Sequence, residues 1–249
     1  MSFSIVGWSA LADQASIAAI AAIPDPHVRV NGVDIIVPSA IPNLVGVYGN
    51  GVNLTRVQLA SPSLRRFLNL ESAPIDISAL PQTPFRFTDL RADPILLDGE
   101  EALDALVSEN GAGATRMNVF AWLSDGPIDT VDGDVRTVRV SSTTTLTPFN
   151  WTNAGLIIDQ QLPAGEYMIV GGRMASAGLL AWRCVLPGNP WRPGGIGVAN
   201  DGGAEGIIFR VGNFGAWGSF RHNTPPTIDF CSSTADTSQT GHLDLVKIS

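Results

Sequence analysis

Apolar residues in this chain come in short runs broken by Gly, Pro, Ser and Asn. The most regular stretch is LPAGEYMIVGGRMASAGLLAWRCVLPGNPWRPGG, which begins at Leu162. Its turn at Pro163-Ala164-Gly165 launches one apolar run over 166–174, and Ala175-Ser176-Ala177-Gly178 separates that run from a second over 179–186. β-Branched and aromatic residues in both runs suit a pleated, largely buried surface, and the short small-residue connection predicts an antiparallel hairpin. In the first half the same texture predicts strands at 28–37, 44–48, 52–59, 85–90, 95–97 and 115–123. The second half adds 134–147, 153–162, 207–211, 216–220, 227–231 and 241–248, with a glycine-rich loop over 187–206.

Two stretches read differently. Residues 9–23 (SALADQASIAAIAAI) are alanine-rich and stop before Pro24, which predicts a short helix capped near Ser9 with Leu11, Ile17, Ile20 and Ile23 on one face. Residues 100–108 predict a second helix, with Asp98 or Gly99 as cap and Glu100 and Glu101 where the helix dipole favours negative charge. The expected organisation is an N-terminal helical arm (1–27), a first β domain (28–127) and a second (128–249). The halves echo one another in order. Leu54-Thr55-Arg56-Val57 before Pro62 and Arg65 parallels Leu180-Ala181-Trp182-Arg183 before Pro187 and Arg192. Pro94-Ile95-Leu96-Leu97-Asp98 likewise parallels Pro226-Thr227-Ile228-Asp229-Phe230. Taken at face value, the chain is a tandem duplication of one sandwich domain.

Composition sharpens this picture. With 45% hydrophobic residues, 26 Gly and 17 Pro in 249 residues, the chain reads as turn-rich and all-β. A net charge of −8 argues against direct nucleic-acid binding, which needs a basic face. Lys247 is the only lysine, so the positive charge is almost all arginine, the residue suited to fixed contacts between packed surfaces. Cys184 and Cys231 both fall in apolar runs and read as buried thiols. No signal peptide is expected, because nothing basic precedes Arg29 and Asp13 interrupts the apolar segment.

The stretches LPAGEYMIVGGRM, WRPGG, FRVGNFGAWGSF and PPTIDF, with the closing LDLVKI, are similar to segments of double jelly-roll major capsid proteins of tailless icosahedral viruses, the bacteriophage members in particular. The resemblance covers nearly the whole chain from about Val28. It implies two tandem jelly-roll β-sandwich domains, and the helix expected at 100–108 suits it. It further implies a structural subunit that self-assembles, as homotrimeric pseudo-hexagonal capsomers, into an icosahedral shell. The partners would be the chain itself and other capsid proteins, with room for an internal membrane beneath the shell. The location would be the virion, after synthesis in the host cytoplasm.

Catalytic groupings are hard to assemble from these residues, and the chain is not expected to be an enzyme or to carry a cofactor. His27, His222 and His242 lack metal-ligand partners at short spacing, and neither Gly-X-Ser-X-Gly nor a P-loop occurs. Asp129, Asp132 and Asp134 do not match the calcium-loop spacing. The alternative reading is a carbohydrate-binding or glycan-processing β-sandwich. It rests on Asp159 and Glu166, which flank a turn, and on Trp191, which could stack on a sugar as well as on a neighbouring subunit. Under the assembly reading, the candidate subunit interface is Trp191, Arg192, Arg65 and Arg66.

Overall fold

A computed structural model describes residues 2–66, 68–76, 88–111, 113–198 and 215–249, the side chains of Arg66 and Asp76 excepted. The strand expected at 207–211 and the far part of the loop expected at 187–206 lie outside the described residues. The chain is all-β with several sheets, as a β-sandwich requires. Among the described residues, the one helical turn is the 3-10 turn Leu64–Arg66. The chain divides into two compact units, one of Ile5–Pro127 and one of Ile128–Ser249 together with the first residues up to Ser4.

In the first unit the principal strands are β1 (Phe3–Ala12), β2 (Asp34–Ile36), β3 (Asn43–Gly51), β4 (Leu54–Ala60), β5 (Leu70–Ser72), β6 (Ile95–Leu96), β7 (Ala102–Glu109) and β8 (Thr115–Ser124). They form two hydrogen-bonded ladders, β1-β8-β3-β6 and β2-β7-β4-β5. Alternation explains the second ladder. Leu103, Ala105 and Val107 of β7 are fully buried, while Ala102, Asp104 and Leu106 between them are half-buried, so one face of the strand meets the core. Burying a side chain such as Leu103 contributes about 1.5–3 kcal/mol.

Neither expected helix forms. Residues 100–108 have helix-favouring Ala, Leu and Glu, yet β7 pairs with β4 from Asp104↔Ala60 to Glu109↔Leu54. Glu100 sits at φ 67°, which no helical first turn can use. Spacing of Leu103, Leu106 and Val107 fits a helix and alternation of Leu103, Ala105 and Val107 fits a strand, and the partner strand decides. Residues 9–23 instead continue β1 and then double back: Ser9 N–H donates to Ala21 O at 2.9 Å and Ile23 N–H to Gly7 O at 2.8 Å. Ala18–Ala19 pairs with β7, and Leu11 is 61% exposed, so the apolar residues never share one face.

The second unit holds β9 (Val135–Ser142), β10 (Trp151–Ala154), β11 (Glu166–Ala175), β12 (Leu179–Val185), β13 (Gly194–Val198), β14 (Gly218–Arg221), β15 (Thr227–Ser232) and β16 (Gln239–Lys247). Its ladders are β9-β16-β11-β14 and β10-β15-β12-β13, the pairing order of the first unit's named strands with every number raised by eight. The two-residue strands Ile75–Asp76 and Thr88–Asp89, which also pair with β3, and Ile157–Ile158, which pairs with β9, stand outside that correspondence. Two parallel pairs, Met174↔Gly197 and Ala175↔Val198, connect the ladders here. The expected loop over 187–206 is therefore corrected in part, since Gly194–Val198 is a strand paired on both sides. Gly194 permits that pairing: a Cβ there would lie 2.0 Å from Trp182 O. The core is aromatic, with Trp182 and Trp217 at 5.3 Å between centroids and Phe3 set edge-on to Trp217 at 5.6 Å.

Candidate functional site

Trp191 and Arg192 lie on the connection between β12 and β13. The loop is made rigid from within. Asn189 Oδ1 accepts from Trp191 N–H at 2.9 Å, an Asx-type turn, and Pro190 and Pro193 fix φ on either side. Arg192 is buried. Its Nη1 donates to Asn189 O at 2.7 Å and to Trp191 O at 3.0 Å, and its N–H donates to Ser4 Oγ at 2.9 Å. Arg192 thus braces the turn that presents Trp191, while Trp191 itself stays half-exposed.

Arg65 belongs to the other unit. Ser61 and Pro62 start the 3-10 turn, with Ser61 Oγ accepting from Leu64 N–H at 3.1 Å and Ser61 O from Arg65 N–H at 3.0 Å. Arg65 is exposed and lines a depression of about 490 Å³ with Arg56, Gln58, Leu68, Asn69 and Glu71. Leu68 is 83% exposed beside it. Arg56 makes a fork to Glu71, Nε to Oε1 at 3.1 Å and Nη2 to Oε2 at 3.2 Å, which holds the Glu71 carboxyl below its usual range. Arg66 closes the turn, its side chain lying outside the described part. The four candidate residues therefore fall on two units, in two local settings.

The strongest polar cluster is one that sequence reasoning missed. Arg183 of β12 stands directly opposite Asp229 of β15, and Asn153 of β10 stands opposite Asp229 on its other side. Arg183 Nε donates to Asp229 Oδ2 at 3.0 Å, and Asn153 Nδ2 donates to Asp229 Oδ1 at 2.8 Å. The guanidinium lies 4.0 Å from the Trp151 ring centroid. The side chains of Arg183 and Asp229 are 0% and 6% exposed, so the ion pair is sealed from water, while Asn153 at its edge is exposed. One charge interrupting each of the apolar runs LLAWRCV and TIDFCS was the available signal. Such a row can fix the register of three strands; it offers no open face to a substrate.

The carboxylates of the glycan reading are engaged separately. Asp159 pairs with Arg139 at 3.4 Å and accepts from Ser141, whereas Glu166 accepts from Ser219 Oγ at 2.5 Å. Cys184 and Cys231 are free and buried, on opposite faces of their sheet, and burial pushes the Cys231 thiol up to about 12.

Comparison with protein-family models finds no match, and comparison with curated protein sequences finds none either. Among solved structures, the chain is similar to the major capsid protein of bacteriophage PM2, with 9% sequence identity over 99% of this chain and 98% of that one, at a TM-score of 0.27. At that score the likeness carries no argument about this chain.

Proposed function

We propose that the chain is a viral coat subunit made of two tandem jelly rolls, divided at Pro127, whose function is to assemble with copies of itself. The observation that supports this is the repeated pairing order, β1-β8-β3-β6 with β2-β7-β4-β5 and then the same order eight strands later. Eight strands in two ladders of this kind form the double-sheet jelly roll found in viral capsid and lectin domains. Repetition in one chain favours the shell over the lectin: three two-domain subunits around a threefold axis present six similar lobes, which tile as a hexagon. Trp191, held on a braced turn, and the Arg65–Arg66 turn, beside exposed Leu68, are the contacts assigned to that assembly. Other capsid proteins are the further partners, and the virion is the place of action.

Sedimentation of the purified chain tests this reading. Trimers or larger particles at micromolar concentration agree with it. A strict monomer that is retained on a polysaccharide column would replace it with the carbohydrate-binding alternative.

A further inference from the structure

We propose that Asp34 of β2 and Asp104 of β7 form a proton-sharing carboxyl pair that fastens β2 to its ladder under mildly acidic conditions and loosens it as the pH rises. Leu103 pairs with Ile35 and Ala102 with Ile36, so the next cross-strand position brings Asp104 opposite Asp34. Ile35 and Leu103 point into the core, which turns both aspartates to the other face, and each is half-buried there. Like charges directly opposite one another destabilise a strand pair. Here the register sets the two half-buried carboxyls side by side, and a proton held on one of them removes that repulsion and lets it donate to the other.

The surroundings do not remove that need. Asp104 Oδ1 is sealed from solvent with no hydrogen-bond partner among the described residues. The charged groups facing Asp104 are Asp34 and, from the 3-10 turn, Arg65, whose charge only partly offsets the pair. From β4 the residue opposite is Ala60, and the short strand on the other flank offers only Ala18 and Ala19. Glu101, just before the same strand, is turned to Ser63, accepting from its N–H at 3.0 Å and its Oγ at 2.9 Å. Burial first, then the Asp34 hydrogen bond and charge, push the Asp104 carboxyl from its ordinary 3.8 up to about 6. The sign follows from linkage. Between these two values the folded chain holds a proton that the unfolded chain has lost, so stability falls as pH rises through that window.

Two measurements on the full chain test the pair. Carbon-13 titration of Asp-labelled protein should show one carboxyl with a midpoint near 6, and that midpoint should fall by at least about one unit in Asp34→Asn, where the like charge is gone. Normalised amide-exchange protection at Val37, whose N–H donates to Glu101 O beside the pair, should drop roughly tenfold from about pH 5 to pH 7.5. In Asp104→Asn, which keeps the shape and a hydrogen bond at every pH, that protection should stay flat. The proposal is overturned if every aspartate titrates in the ordinary range, or if wild type and Asp104→Asn show the same pH dependence at Val37.

Discussion

The buried pair Arg183–Asp229, which exposed Asn153 flanks, makes the sharpest stability prediction. With side chains 0% and 6% exposed, neither charge can recover solvation by a small movement if its partner is removed. Breaking a buried pair by one substitution costs about 3–5 kcal/mol, because the remaining charge is left uncompensated. Asp229→Asn preserves shape and the contact with Asn153 but strands the Arg183 charge beside the Trp151 ring. Arg183→Met strands Asp229 instead. In a chain of this length, each kcal/mol moves the thermal midpoint by about 2–4 °C, so each single variant should melt roughly 6–20 °C lower. Replacing both charges, as Arg183→Met with Asp229→Leu, removes the uncompensated charge and should recover most of that loss. Urea and thermal unfolding of wild type, Arg183→Met, Asp229→Leu and the double variant provide the cycle, with Asp229→Asn measured beside them as the shape-preserving single variant. If Asp229→Asn costs less than about 1 kcal/mol, or if the double variant loses the sum of the singles, the row is not the desolvated pair described here.

Other outcomes follow from the same packing. Trp191→Ala should weaken self-association by about 2 kcal/mol or more while leaving the thermal midpoint nearly unchanged, read by sedimentation and calorimetry on the same samples. Phe3→Ala should cost about 3–5 kcal/mol, because Phe3 is 1% exposed and closes the aromatic core against Trp217, and tryptophan fluorescence during denaturation measures it. A thiol reagent at about pH 8 should label neither Cys184 nor Cys231 until denaturant is added, since both are buried and burial raises both thiols. Gly172→Ala should destabilise the second unit, because its Cβ would lie 2.5 Å from His242 O; a thermal midpoint equal to wild type would contradict that close approach.

The strands of the second half were the most legible part of the sequence. The runs of β11 and β12 announced themselves as strands on either side of a small-residue turn, and β16 through the alternation of GHLDLVKI. The antiparallel hairpin expected of β11 and β12 does not form: the turn carries the chain from one ladder to the other, where β11 pairs with β16 and β14 and β12 with β15 and β13. The two expected helices failed for a shared reason. Alanine- and leucine-rich segments satisfy both periods, and the choice was made by backbone partners far along the chain, Ala60 for Asp104 and Gly7 for Ile23. A local pattern does not carry that information. The same holds for Arg192. Its sequence setting, between Trp191 and Pro193, suggested a contact residue, but its N–H is bonded to Ser4, 188 positions away, and its head group is spent on its own loop. Trp191 and Arg65 kept the exposure that a contact requires. The Arg183–Asp229 pair was written in the sequence as two solitary charges. Only the cross-strand register made them one feature.

Assembly with copies of itself, as proposed above, is read from the mass of the purified particle in solution. Sedimentation velocity with light scattering, from low to high micromolar concentration, should find no stable population at the 26.3 kDa of one chain. A species near three chains, or larger particles built from it, is expected, and Trp191→Ala should shift that distribution toward the single chain. A monodisperse 26.3 kDa species at every concentration would rule out a coat subunit that assembles with itself.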